Sequence, residues 1–206
     1  WVTVSFGSDV RIIQNAKNLG GAGGFNTALN DALEKGYEYV ILLDNDIVVE
    51  KKCIDNWVKY LDDHLDVGCV GAKIMIMDRP EYIQEFGGQM DFEKYDLKKN
   101  YWYELDQGTE DIIESDWVSS CALIARVEAV KHTNLFPEEN FLFWDDIEFT
   151  YQIKRAGYKV MSLASAKVYH KGKKKPINNT VTMYYGMRNR IKFFSKYEKE
   201  EKIERL

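Results

Sequence analysis

Residues 37–49, Tyr-Glu-Tyr-Val-Ile-Leu-Leu-Asp-Asn-Asp-Ile-Val-Val, form an apolar run of strand length that ends on Asp44 and Asp46. Continuous β-branched and aliphatic residues mark a strand buried on both faces, and ligands of open α/β sheets sit outside the carboxyl ends of such strands. The two carboxylates therefore fall at a ligand edge. In an extended chain the intervening Asn45 points the other way, so both acids can face one polyoxygen ligand or hard cation, the chemistry of a nucleotide diphosphate held through a metal. The same pair also reads as the cap of the helix that follows.

Working outward, Val10 to Gln14 can be a short strand, and Asn15 to Gly24 a loop whose glycines at 20, 21, 23 and 24 let backbone approach a ligand closely. Phe25, Ala28, Leu29, Ala32 and Leu33 recur at helical spacing and Gly36 supplies a stop. Strand, glycine loop, helix and the strand at 38–43 then predict a right-handed βαβ unit. Downstream, Ile54, Trp57, Val58 and Leu61 mark a second helix and Gly68 to Met77 a second buried strand. Residues 78–120 read as irregular or antiparallel excursions leading to a strand from Asp116 to Arg126. A helix is predicted over Asp145 to Ala156, stopped by Gly157, and then strands Tyr158 to Leu163 and Ala166 to His170.

At 206 residues one domain can bury roughly 70% of its unfolded surface, so neither disulfides nor a structural metal are required for folding. The net charge of −5, with basic residues concentrated towards the C-terminus, argues against nucleic-acid binding by the whole chain. Cys53, Cys69 and Cys121 are odd in number and widely spaced, which suggests a reducing cytosol. No apolar stretch approaches the roughly 18 residues of a spanning helix. The chain opens in strand-like Trp1-Val2-Thr3-Val4 and closes in the charged helical run Lys196 to Leu206, so a single domain over 1–206, truncated at its N-terminus and perhaps also its C-terminus, is the expectation.

Two familiar readings of these motifs do not close. A GxGxxG frame started at Gly21 meets Asn26, and one started three residues earlier begins on Asn18, which counts against a dinucleotide fold. An aspartyl-phosphate site needs a hydroxyl two residues after the second Asp, where Val48 stands. Phe141-Leu142-Phe143-Trp144-Asp145-Asp146-Ile147-Glu148 is the second informative segment. One of its adjacent acids can cap the helix, and the other, partly desolvated beside Trp144, can serve as a base near neutral pH. His170 ends a strand directly before Lys171-Gly172-Lys173-Lys174-Lys175-Pro176, and such a pairing can hold a cation and cover a diphosphate, though each part also reads as plain surface. Tyr184, Tyr185, Arg188 and Asn189 lie one helical turn apart, so Arg188 either reaches an anionic group or is simply solvated beside a packed Tyr face.

The order of these pieces resembles the family 2 inverting glycosyltransferases of the GT-A type. The matching stretches are Asn18 to Asn26, Asp44-Asn45-Asp46, Trp117 to Ile124, Trp144 to Glu148, Val168-Tyr169-His170 and Tyr184 to Asn189, and they look closest to rhamnosyl- and galactofuranosyl-transferase-like members. The resemblance implies an α/β, Rossmann-like mixed sheet flanked by helices, with the nucleotide-base-binding segment ahead of the glycines missing. It implies a nucleotide-diphosphate sugar donor, UDP- or dTDP-linked, a saccharide or lipid-linked saccharide acceptor, and bacterial surface-polysaccharide synthesis in the cytoplasm or at the inner face of the membrane. Asp44 would sit by the ribose or diphosphate with Gly21, Gly23, Gly24 and Arg188 as further substrate contacts. Asp46 and His170 would ligate a divalent cation, Mg²⁺ or Mn²⁺, Asp146 would be the general base with Asp145 beside it, and Trp144 would line the acceptor pocket. A homodimer joined at an exposed sheet edge, and a binding module without turnover, are the other expectations raised by the missing segment.

Overall fold

The computed structural model describes residues 10–171 and 179–204. The strand-like Trp1 to Val4 and most of the lysine loop after Lys171 lie outside the described residues. Helices α1 (Gly20–Glu34), α2 (Cys53–Asp63), α4 (Asp145–Arg155) and α5 (Thr180–Glu204), with the short turn α3 (Val127–Val130), surround a mixed sheet. Its strands are β1 (Tyr39–Leu43), β2 (Ile47–Val49), β3 (Val67–Ile76), β4 (Arg79–Glu85), β7 (Ile112–Ser115), β8 (Ala122–Arg126) and β9 (Lys159–His170). The order is β1-β8-β3-β9-β2, with β4 added to β3 and β7 to β9, while β5 (Gly88–Asp91) and β6 (Asp96–Lys99) form a separate hairpin.

β3 lies at the centre because every one of its residues is apolar, small or, at Lys73, paired with Asp106, so it can be buried on both faces. It runs parallel to β9 and antiparallel to β8 and β4. The two-residue alternation of β8 divides the core: Leu123 and Ala125 pack with α1 and α4, whereas Ala122 and Ile124 pack with Trp57 and Leu61 of α2. A third cluster joins Trp117, Trp144, Ile147 and Tyr151 to Phe193, Phe194 and Tyr197, which seats α5 on α4.

Several expectations change at this level. Val10 to Gln14 is not a strand; Val10, Ile12 and Ile13 are exposed and Arg11 pairs with Asp31 instead, so no βαβ unit forms among the described residues. The glycines are not a loop, since α1 already begins at Gly20. Gly20 has φ +74° and touches the Phe141 carbonyl so closely that a side chain could not fit, and a Cβ on Gly21 would stand 3.2 Å from the Asp145 carboxylate. These glycines bring α1 against the segment that carries the second acid pair. The strand expected from Asp116 begins only at Ala122, because residues 117–121 cross the sheet beside Gly71, where Val118 fills the space a side chain would need. The two C-terminal strands are one, β9, whose pairing with β3 jumps from Leu163 to Lys167 across a bulge. The helices read from periodicity and the buried strand β3 stand where the spacing puts them, and Gly36 and Gly157 follow α1 and α4 with φ +70° and +92°.

Candidate active site

β1 pairs with β8 and β2 with β9, so the chain must change neighbours between Leu43 and Ile47. Asp44, Asn45 and Asp46 make that change in a turn, not in the extended conformation expected from alternation. The turn nonetheless points its acids at the end of β9. Nε2 of His170 lies 3.2 Å from Oδ1 of Asp46, and ligand atoms of Asp44, Cys121 and His170 all fall within 4.8 Å of one another. The other ring nitrogen, Nδ1, is 3.1 Å from Oε1 of Gln84 on β4, a contact that fixes the ring and, with Nδ1–H as the donor, would leave Nε2 to a cation shared with Asp46. Burial pushes the Asp44 carboxyl up, His170 and the Cys121 thiol pull it back, and Asp46 adds a smaller upward push. Burial, followed by the neighbouring Asp44, raises the Cys121 thiol far beyond the physiological range and keeps it protonated.

The second acid pair opens α4, but neither acid is its N-cap. That place belongs to Trp144, held left-handed at φ 64° with no side-chain capping bond. The two carboxyls point different ways. Asp145 is 7% exposed and turned toward Gly21, whereas Asp146 lines a cleft of about 720 Å³ that also reaches Asp46, His170, Trp144 and Lys171. Oδ1 of Asp146 accepts from the Ile147 amide at 2.8 Å, and Oδ2 accepts from Ser119 Oγ at 3.3 Å and from the Ser120 amide at 3.4 Å. Burial raises the Asp146 carboxyl while these donors lower it. Asp145 is pushed up to about 7, by burial first and then by the like charge of Asp146. Two neighbouring carboxyls that resist losing both protons are the means by which a carboxylate becomes a base near neutrality.

The loop before α4 is unusual: Phe141, Phe143 and Trp144 all have positive φ, a conformation that costs free energy in residues with side chains. Asn189 of α5 holds it. Its buried Nδ2 donates to the carbonyls of Asn140, Leu142 and Phe143 at 2.9–3.0 Å. Arg188, expected to meet an anionic ligand or solvent, instead gives its guanidinium to the Glu139 and Asn140 carbonyls and stacks over Tyr185 at 4.9 Å. Gly24 faces open space, whereas a side chain at Gly23 would strike Leu19.

The structure brings Asp46, Trp144, Asp146 and His170 to one cleft with Asp44 beside His170, and it adds Gln84 and Glu85 to that region and Ser119, Ser120 and Asn189 around Asp146 and its loop, to none of which the sequence pattern assigns a role. Glu85 had a readable signal: a charged residue between Ile83 and Phe86, both fully buried, directly ahead of Gly87-Gly88.

The fold is that of GT-A glycosyltransferases. The sequence model of the family described as glycosyltransferase like family 2 matches residues 2–184, and the chain belongs to that family. Among solved structures it is similar to GalNAc-T7 with UDP, GalNAc and Mn²⁺, at 16% identity and a TM-score of 0.59, covering 77% of this chain and 31% of that one. It is also similar to the mannosyltransferase PcManGT from Pyrobaculum calidifontis in complex with GDP-Man and Mn²⁺, at 16% identity, TM-score 0.50, and 79% and 39% coverage. A third likeness, to A197 from STIV, has 16% identity, TM-score 0.50, and 75% and 69% coverage. The chain thus spans about a third of the first of these proteins. No curated protein matches its sequence.

Proposed function

We propose that this domain transfers a sugar from a nucleotide diphosphate to an acceptor hydroxyl with inversion, in one in-line displacement. The observation that carries the reading is that Asp146 and the Asp46–His170 pair face a single cleft, so a base and an anion-holding centre stand on either side of one reacting sugar. Asp146 takes the proton from the acceptor oxygen as that oxygen bonds to the anomeric carbon, and the bond from that carbon to the diphosphate breaks with its electrons leaving on the phosphate. Ser119 and the Ser120 amide orient Asp146 for this step.

Asp46 and His170 would hold a divalent cation, Mg²⁺ or Mn²⁺. Carboxylate oxygen and imidazole suit such an ion, and Asp44 and Cys121 bring further ligand atoms within 4.8 Å of those of His170. When bound, the ion supplies charge neutralisation for the departing diphosphate. Lys171 adds positive charge at the same edge. On the donor side we place Asp44 and the first turns of α1 with Gly21, Gly23 and Gly24, and on the acceptor side Trp144; Arg188 acts by holding the loop that presents it. Within the family we place the chain with the rhamnosyl- and galactofuranosyl-transferase-like members, with a UDP- or dTDP-linked donor, acting in surface-polysaccharide synthesis. Among the described residues no helix is long and apolar enough to cross a membrane.

Calorimetry with UDP, dTDP and GDP, each with and without Mn²⁺ or Mg²⁺, followed by assays of donor hydrolysis and of product anomeric configuration, tests the reading. Metal-dependent binding with turnover and an inverted product is the expected result. Binding without hydrolysis or transfer reduces the chain to a nucleotide-binding module, and a retained configuration removes the single displacement.

A further inference from the structure

Glu85, at the end of β4, lies in the wall of the cleft that holds Asp146, and nothing in the mechanism above uses it. Its Oε1 exposes less than 1 Å² and has no hydrogen-bond partner, and the neighbouring hydroxyl that favours its ionised form is Ser119, which donates to Asp146. A serine has one hydroxyl proton to give, so two carboxyls that share it leave accepting capacity unfilled. Buried acceptors without donors are costly and uncommon, and their place in a cleft wall points to a donor brought by a ligand. The terminal torsion of a glutamate is broad, so a modest rotation can turn the carboxyl towards the cleft that Glu85 lines.

The surroundings narrow the class of ligand. Lys99, Trp102 and Tyr103 line the same stretch of wall, with Lys99 Nζ 3.7 Å over the Trp102 ring and the two aromatic rings packed edge to face at 5.3 Å. Flat aromatic surface beside an unfilled carboxyl acceptor suits a molecule with an apolar C–H face and hydroxyls at its rim. Burial and the nearby Asp146 push Glu85 up to about 7, with Lys99 and Ser119 pulling the other way.

We propose that Glu85 is the hydroxyl-recognising residue of a pyranoside subsite walled by Trp102 and Tyr103, and that it positions the acceptor sugar beside Asp146. The proposal rests on the glycosyl-transfer reading for the word acceptor, but not for the binding itself. A site built to bond a substrate hydroxyl discriminates by that bond, so Glu85 sets which ring is accepted.

The test titrates wild type, Glu85→Ala and Glu85→Gln with the methyl glycosides of glucose, galactose, mannose and rhamnose, followed by saturation-transfer NMR, with thermal melting as the control for folding. Saturable binding of at least one glycoside to wild type is expected, weakened roughly 10- to 100-fold in Glu85→Ala and largely restored in Glu85→Gln, which keeps an acceptor oxygen. The melting temperature should fall in neither variant. Failure of every glycoside to bind wild type, equal binding by wild type and Glu85→Ala, or a loss that follows lowered melting and is not restored by Gln, each overturns the subsite. These outcomes are separate from those for the transfer reading, which is decided by nucleotide binding and donor hydrolysis.

Discussion

The two acid pairs of the cleft are built in opposite ways. Asp44 and Asp46 occupy a tight turn between strands with different neighbours, and the Asp46 side chain remains 45% exposed beside His170. Asp145 and Asp146 open a helix under a lid of aromatic residues and are enclosed by α1, α5 and the crossing segment at 117–121. An open carboxylate next to an imidazole offers an oxygen and a nitrogen to a cation arriving from solvent. An enclosed pair is suited to taking one proton and keeping it. The contrast is sharpest between the outer members, since Asp46 stands exposed beside His170 whereas Asp145 is buried against α1.

The largest expected effect breaks this comparison on its enclosed side. Asp146→Asn should lower transfer by roughly 10²- to 10⁴-fold with donor affinity nearly intact, measured at saturating donor. A larger rate loss in Asp145→Asn would reverse the assignment, and near-wild-type rates in both would take the segment out of catalysis. On the open side, Asp46→Asn and His170→Ala should each weaken metal-dependent nucleotide binding by about 10- to 100-fold, read by calorimetry with and without Mn²⁺. Unchanged metal dependence in either variant removes that residue from the centre.

A third measurement asks what keeps the enclosed pair enclosed. Asn189→Ala should cost about 1–3 kcal/mol in denaturant unfolding, since it removes the donor shared by the Leu142 and Phe143 carbonyls and one of the donors to Asn140. A loss below the error of the method would mean that the aromatic loop holds its own shape.

The smallest effect sharpens the contrast through pH. Asp145 is raised in the folded chain, so its contribution to stability is fully present below the ordinary Asp value, near 3.8, and is lost as pH climbs through about 7. Asp145→Asn, which resembles the protonated form, should therefore match wild type at pH 4 and exceed it at pH 8, by on the order of 2 kcal/mol. The groups that face Asp145 and shape this profile are Asp146 on its own helix and Asp44 from the end of β1. Equal stability differences at both pH values would show that Asp145 is not held neutral.

The open pair was legible in the sequence because an apolar strand ending in acids is a local pattern, and its misreading as extended chain came from a long-range fact, the change of partner between β1 and β2. Periodicity likewise located α1, α2 and α4, where one face of each meets the sheet. The helix-capping reading of Asp145 and Asp146 failed because Trp144 is held left-handed by contacts from α5, about 45 residues away, which no local rule contains. Gln84 went unassigned for the same reason: what makes the end of β4 matter is that it touches His170 and the cleft. The absent strand at 10–14 shows the converse. Apolar residues suggest a strand, but with Ile12 at 72% exposure nothing in the described chain covers them.

The carboxamide of Asn189 reaches from the middle of α5 into the backbone just ahead of the acids of α4, while Phe193 and Phe194 lock the same helix onto Trp144. Together they make α5 a strut under the reacting centre. A tilt of this helix, whether caused by a bound molecule or by whatever else contacts its outer face, would be delivered as a change in the aim of Asp146.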